Sequence, residues 1–153
     1  MRTKNFLSSL VVFALLGSVS AVAQDKNPFV GVWERTSLKN DQGEVRQPPL
    51  PPQTVIFSAN GYFSQVGTPA GRKKVDKPVK DLSREELLDR FTSVAARHGT
   101  YKVSGNKLIR KDLIQANPNQ EGRETVQEFK LEKDGFVLTY PGKKFEARFR
   151  RVK

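Results

Sequence analysis

From residue 29 to the end, apolar positions recur with the period of two that marks half-buried strands, broken by turn signals roughly every 8 to 12 residues. The runs 29–38, 54–58, 62–66, 100–103, 107–115, 125–132, 136–140 and 145–152 read as eight strands. Asn60-Gly61, Gly105-Asn106, Asp134-Gly135 and Pro141-Gly142 supply the turns between neighbours, because Gly and Asn accept the positive φ that tight hairpins need. Around Gly105-Asn106, counting outward places Val103 opposite Leu108 and Tyr101 opposite Arg110. Around Asp134-Gly135 it places Leu131 opposite Leu138 and Phe129 opposite Tyr140. Phe145, Ala147 and Phe149 then share the face of Leu138 and Tyr140, and Arg148 and Arg150 point away.

One segment departs from this period. Ser83, with Glu86 three residues on, forms a capping box, and Leu82 is placed to staple onto Leu87. Leu87, Leu88, Phe91, Val94 and Ala95 follow at helical spacing, Glu86 and Arg90 are set to pair, and Gly99 suits a stop. The spacing predicts a helix over 84–97, lying across one mouth of whatever the strands build. Residues 47–53, with four prolines, have too few amide donors for a ladder and read as an extended loop. Residues 68–81 are basic, with Arg72, Lys73, Lys74, Lys77 and Lys80, and read as a surface loop.

The first 23 residues follow another logic. Arg2 and Lys4 precede an apolar run from Phe6 to Val19, and Ala21-Val22-Ala23 follows. This is the order of a cleaved export signal, and the run is shorter than the ~20 residues that span a bilayer. The expected organisation is a signal peptide over 1–23 and one domain over 24–153, exported to the periplasm or beyond, with no transmembrane segment after cleavage. The chain has no Cys, so no disulfide and no lipid-acceptor thiol is available, and the domain must stand on its core.

Phe29-Val30-Gly31-Val32-Trp33 resembles the G-x-W signature of lipocalins. Together with Asn60-Gly61-Tyr62, the helix of the Glu85-Glu86-Leu87 kind and Gly99-Thr100-Tyr101, it makes the mature chain similar to bacterial lipocalin-like domains. The resemblance implies an all-β, eight-stranded antiparallel up-and-down barrel with one helix between the third and fourth strands. It also implies a barrel floor in which Gly31 and Trp33 face inward and a late Arg packs over the indole. Arg151 is favoured over Arg150 because it shares the parity of Phe149. Two features depart from the family pattern: the chain stops on its last strand, and Arg110-Lys111-Asp112 stands where many relatives carry histidines.

An eight-stranded barrel is just wide enough to be filled or to hold one small ligand. Phe57, Tyr62, Tyr101, Phe129 and Tyr140 are the expected lining, together with Leu131, Leu138, Phe145 and Phe149. On parity, Arg35, Arg110 and Asp112 also face inward. A buried Arg requires a counter-charge, so either Asp112 pairs with one of the two arginines or a bound anion does. The leading expectation is therefore an exported protein holding a small apolar or amphiphilic, possibly anionic, molecule, with no cofactor.

Charge supplies the alternative. The formal net charge is +11, of which Arg2 and Lys4 contribute two. Such a balance favours acidic partners, so Arg72 to Lys80 and the tail Arg148 to Lys153 could serve an anionic envelope surface around a filled barrel. Enzyme readings have little to work with. His98 is the only His, expected at the helix C-terminus where the dipole favours it. No Cys and one His leave no common zinc cluster and little for nucleophilic catalysis. A lipocalin-like isomerase or cyclase working through pocket shape stays open. Nucleic-acid binding is disfavoured by export and by aromatics that face inward.

Overall fold

The computed structural model describes residues 27–72 and 74–153; the proposed signal peptide over 1–23 lies outside them. The strands are β1 (Gly31–Lys39), β2 (Gln53–Phe57), β3 (Tyr62–Gly67), β4 (Ala95–Ser104), β5 (Lys107–Gln115), β6 (Glu124–Glu132), β7 (Gly135–Thr139) and β8 (Glu146–Arg151), with helix α1 (Arg84–Thr92) between β3 and β4. Each strand pairs antiparallel with the next, and β8 pairs back to β1, so the sheet closes in strict sequence order. Closure leaves no sheet edge to protect.

Pairing sets the faces. Tyr101 lies opposite Arg110 and Val103 opposite Leu108, the register counted from Gly105-Asn106. The β6–β7 hairpin differs: Glu132 pairs with Gly135, so Lys133-Asp134 makes the turn and Phe129 meets Leu138 while Leu131 meets Phe136. The shift is by two residues, which keeps every side chain on its expected face and adds Phe136 to the interior. In β3 the expectation fails. Phe57 pairs with Phe63, so Phe63 points inward and Tyr62 outward, where it is 43% exposed and stacked on His98 at 5.9 Å.

The helix is shorter than its periodicity suggests. Ser83 Oγ accepts from Glu86 N at 3.2 Å and Glu86 Oε2 from Ser83 N at 2.8 Å, the reciprocal cap. The helix ends at Thr92, however, because Ala95 to Gly99 are taken into the ladder with β3; sheet pairing overrides helical propensity there. His98 is thus a strand residue, its Nδ1 2.9 Å from Ser64 Oγ, rather than a helix-terminal one. Gly99 serves a close approach instead of a helix stop, since a Cβ would sit 1.9 Å from Lys111 O. No residue of α1 is buried, and Phe91 and Leu88 are 79% and 53% exposed, so the helix does not seal the mouth with its apolar face. Glu86 pairs with Lys77, while Arg90 donates to Val75 O.

The first strand begins at Gly31, two residues later than predicted, because Phe29 turns into the barrel. It is fully buried, with ring centroids 5.4, 4.8 and 4.9 Å from Phe57, Phe129 and Phe136. Phe29 closes the end at which the strand connections are tight turns. At the other end the connections 40–52 and 68–94 are long, and for that reason it is termed the open end.

Candidate functional site

Inner side chains change character along the barrel axis. Near the closed end β1 to β8 contribute Trp33, Phe57, Phe63, Tyr101, Leu108, Phe129, Phe136 and Phe149, which pack around Phe29 as one apolar cluster. The arginine Arg151 lies over the Trp33 ring, its guanidinium carbon 4.3 Å from the centroid, and donates to Val30 O at 3.0 Å. The Trp33 indole donates to Phe29 O at 2.6 Å. At Gly31 φ is +139° and a Cβ would fall 2.4 Å from Arg151 Nη1, so glycine admits the guanidinium as well as the backbone conformation.

One step further from the floor the inward residues turn polar. Arg110, only 4% exposed, donates from Nη1 to Gln65 Oε1 at 2.8 Å and from Nη2 to Gln127 Oε1. Its Nε has no hydrogen-bond partner among the described residues. Burial, then the like charge of Arg97, pushes the Arg110 pKa down to about 10, with Tyr140 and Asp112 pulling the other way; it stays protonated at neutral pH. Asp112 is buried but does not pair with Arg110 directly. It accepts from Arg97 Nε and Nη2 at 2.8 and 2.9 Å and from Gln115 Nε2 at 2.6 Å. Both Arg97 and Arg110 lie 5.4 Å from the Phe63 ring centroid.

The sequence-derived ligand set is thereby divided. Arg110 and Asp112 lie in neighbouring hydrogen-bonded groups packed on the Phe63 ring through Arg110 and Arg97, with Tyr140 near Arg110 and tilted against Phe145 at 5.0 Å between centroids. Arg35 sits elsewhere: its Nη2 donates to Pro51 O at 2.6 Å, its Nε is buried without a partner among the described residues, and burial and Arg46 lower its pKa. Phe57, Tyr101 and Phe129 belong to the packed closed half. The Tyr101 hydroxyl, its pKa raised by burial, donates to Ser58 O at 2.9 Å and accepts from Asn27 Nδ2 at 2.8 Å. Tyr62 and Leu131 are exposed and line no lumen.

Sequence reasoning missed Arg97, Gln65 and Gln127. Arg97 was hidden by extending the helix through it, and stopping at Thr92 would have placed it inward by parity with Tyr101. Gln127 shares the parity of Phe129, and Gln65 that of Phe63. Among the described residues, the buried polar level therefore carries Arg97 and Arg110 against Asp112 alone, with Arg35 turned toward Pro51.

A cleft of about 720 Å³ lies outside the lumen at the closed end, between Pro28, Leu131, Asp134 and Val152. Among the described residues no group of three or more His, Cys, Asp or Glu side chains could hold a metal, and no helix is long and apolar enough to cross a membrane.

Eight antiparallel strands closed in sequence order around a G-x-W first strand make the up-and-down architecture of lipocalins. The chain has a lipocalin-like fold. A lipocalin-like protein from Bacteroides uniformis is similar in structure, with a TM-score of 0.49 and 14% identity over 81% of this chain and 98% of that one. An uncharacterized protein from Bacteroides eggerthii gives the same score and identity over 81% and 99%. No protein-family model matches the chain. Among curated proteins, Phosphatase and actin regulator 2 of Rattus norvegicus is 31% identical over 112 residues, which are 71% of this chain and 18% of that protein. This chain thus spans less than a fifth of that relative's length.

Proposed function

We propose that the chain is a small-ligand-binding protein that takes an amphiphilic anion into the open half of the barrel. The anionic group would sit on Arg110 and the apolar part against Leu38, Tyr140 and Phe145. The observation that carries this reading is Arg110 itself: a buried cation whose hydrogen bonds among the described residues run to two neutral amides, with Nε unpartnered, while the nearby Asp112 carboxylate is engaged by Arg97 and Gln115. Burying charge without a counter-charge is costly. A carboxylate or phosphate at Nε supplies both the acceptor and the charge, and charge-assisted hydrogen bonds are about twice as strong as neutral ones.

Calorimetric titration with phenylacetate, phenyl phosphate and the neutral phenylacetamide tests this. Phenylacetate or phenyl phosphate should bind at least about tenfold tighter than the amide, a difference on the scale of one charged hydrogen bond. Arg110→Met should erase the preference, and Arg35→Met, which frees the Pro51 carbonyl, should leave it. Equal affinity of wild type for acid and amide would overturn the reading.

Export is part of the same proposal. Protein recovered from the periplasm or medium should begin at Gln24 by intact mass, whereas an intact Met1 start in a cytoplasmic pool would contradict it. A second reading, docking on an anionic envelope surface, draws support from exposed Leu88 and Phe91 on the same helix face as Arg84. The tail contributes less than its composition suggests, because Arg148 pairs with Glu132 and Glu146 and Arg150 with Glu34. Salt-sensitive sedimentation with anionic vesicles, lost in Phe91→Ser, would favour it.

A further inference from the structure

The cleft at the closed end is walled by three segments: Pro28, Trp33 and Glu34 at the start of β1, the β6–β7 turn from Leu131 to Gly135, and the end of β8 from Arg150 onward. Backbone hydrogen bonds tie these walls together. Arg151 N donates to Asp134 O at 3.1 Å, and Val152 N to Val32 O at 2.9 Å. The ladder that closes the barrel therefore also holds the cleft open, and its volume of about 720 Å³ is that of a small-molecule site.

The charges around it do not cancel. Lys133, Arg150, Arg151 and Lys153 line the cleft with Glu34, Glu132 and Asp134. Two of these acids are engaged already, Glu34 by Arg150 at 2.6 Å and Glu132 by Arg148, which lies outside the lining. Lys133, Arg151 and Lys153 are left against Asp134. Arg151 is also held in place: its guanidinium lies 4.3 Å from the Trp33 ring centroid, fills the space that a Cβ at Gly31 would take, and donates from Nη1 to Val30 O. Its Nε and Nη2 take no acceptor among the described residues. A guanidinium already fixed by stacking loses little freedom when its remaining donors meet an oxyanion. Leu131 and Val152, 49% and 44% exposed, give the cleft an apolar side with Pro28.

We propose that this cleft is a second binding site, separate from the lumen, for an aromatic oxyanion of about two rings. The carboxylate or sulfonate would be held by Arg151 and Lys133, with the ring system against Leu131, Val152 and Pro28. A second ring adds on the order of 50 Å² of apolar contact, which is about tenfold in affinity, so single-ring acids bind here more weakly.

Amide-correlation NMR of the protein titrated with naphthoate, the neutral naphthamide and phenylacetate tests this, because it reads the two sites apart. Trp33 is the only Trp in the chain, so one indole N–H signal, with the backbone amides of Lys133 to Gly135, follows the cleft. The side-chain amides of Gln65 and Gln127 follow the lumen. Naphthoate should shift the cleft signals saturably, at least about tenfold tighter than naphthamide, the scale of one charged hydrogen bond, and about tenfold tighter than phenylacetate. Arg151→Lys, which keeps the charge without the fork, should remove most of the preference for acid over amide. Because Arg151 also packs the floor, Lys133→Glu and Leu131→Ser, both at exposed positions, repeat the test on an undisturbed barrel. The first should weaken naphthoate alone by about tenfold, and the second should weaken naphthoate and naphthamide alike. Equal affinity of the cleft for acid and amide, or unchanged affinity in both exposed variants, would overturn the proposal. Shifts confined to Gln65 and Gln127 would overturn it as well while leaving the lumen reading intact, whereas saturable cleft shifts with no response at those glutamines would support the cleft and count against the lumen.

Discussion

The two ends of this barrel are built on the same eight strands and differ in almost everything else. At the closed end the strands are joined by tight turns, inward positions are aromatic or Leu, and the Phe29 plug and the Arg151–Trp33 contact shut the floor. At the open end the connections are long, and inward positions carry two hydrogen-bonded groups, Arg110 with Gln65 and Gln127, and Asp112 with Arg97 and Gln115. Apolar packing gives the first its stability. Buried charge detracts from stability in the second unless a ligand completes it. In one continuous sheet, apolar packing and buried charge are thus separated by a single step along the strands.

The sharpest way to break that contrast is at the closed end. Trp33 is buried against Phe136 at 4.8 Å and beneath Arg151, so its removal leaves a void among packed rings. Trp33→Ala should lower the unfolding free energy by roughly 3 to 5 kcal/mol, measured by denaturant titration, with anion affinity of the folded fraction unchanged. A midpoint that does not move would show that the floor is not where stability resides.

The open end should respond differently. Asp112→Asn keeps the volume of the side chain but removes the carboxylate that Arg97 grips by two hydrogen bonds, leaving two arginines against the Phe63 ring with no counter-charge. Breaking a buried pair in this way costs roughly 3 kcal/mol, somewhat less here because Arg97 is partly solvated. Unlike Trp33→Ala, this variant should bind phenylacetate more tightly than wild type and regain part of its lost stability when the ligand is added. Melting with and without ligand distinguishes the two ends: a loss that ligand does not relieve would place Asp112 with the structural half.

Much of this division could be seen before the structure. Strict alternation and hairpin turns identified the eight strands, the lipocalin resemblance placed Trp33 inward, and parity placed Arg110 and Asp112 inward, because a period of two leaves little choice once one face is apolar. Reasoning failed where two signals competed. Apolar residues at helical spacing run past Thr92 into Ala95, yet those residues also complete a ladder with β3 and β5. Hydrogen bonding to two neighbours won, and Arg97 and His98 changed roles with it. Tyr62 was assigned inward by its aromatic character, whereas the pairing of Phe57 with Phe63 gave the interior to its neighbour. Phe29 was read as strand because nothing local distinguishes the start of a strand from a side chain that plugs the barrel. The amide partners of Arg110 were missed because Gln65 and Gln127 are polar at positions where pattern reading looks for apolar residues.

The smallest effect is expected in α1, which belongs to neither half. Ser83 and Glu86 cap it reciprocally, but none of its residues is buried, so its unfolding need not involve the barrel. Ser83→Ala removes the acceptor for the Glu86 amide and should cost ~1 kcal/mol. Since that loss is confined to a segment that opens on its own, it should appear as about fivefold faster amide exchange over 84–92. The denaturant midpoint and the affinity for phenylacetate should both stay where they are. A global destabilisation of the same size would instead mean that the helix and the barrel unfold as one unit, and the open end would then be more tightly bound into the fold than its exposed Leu88 and Phe91 indicate.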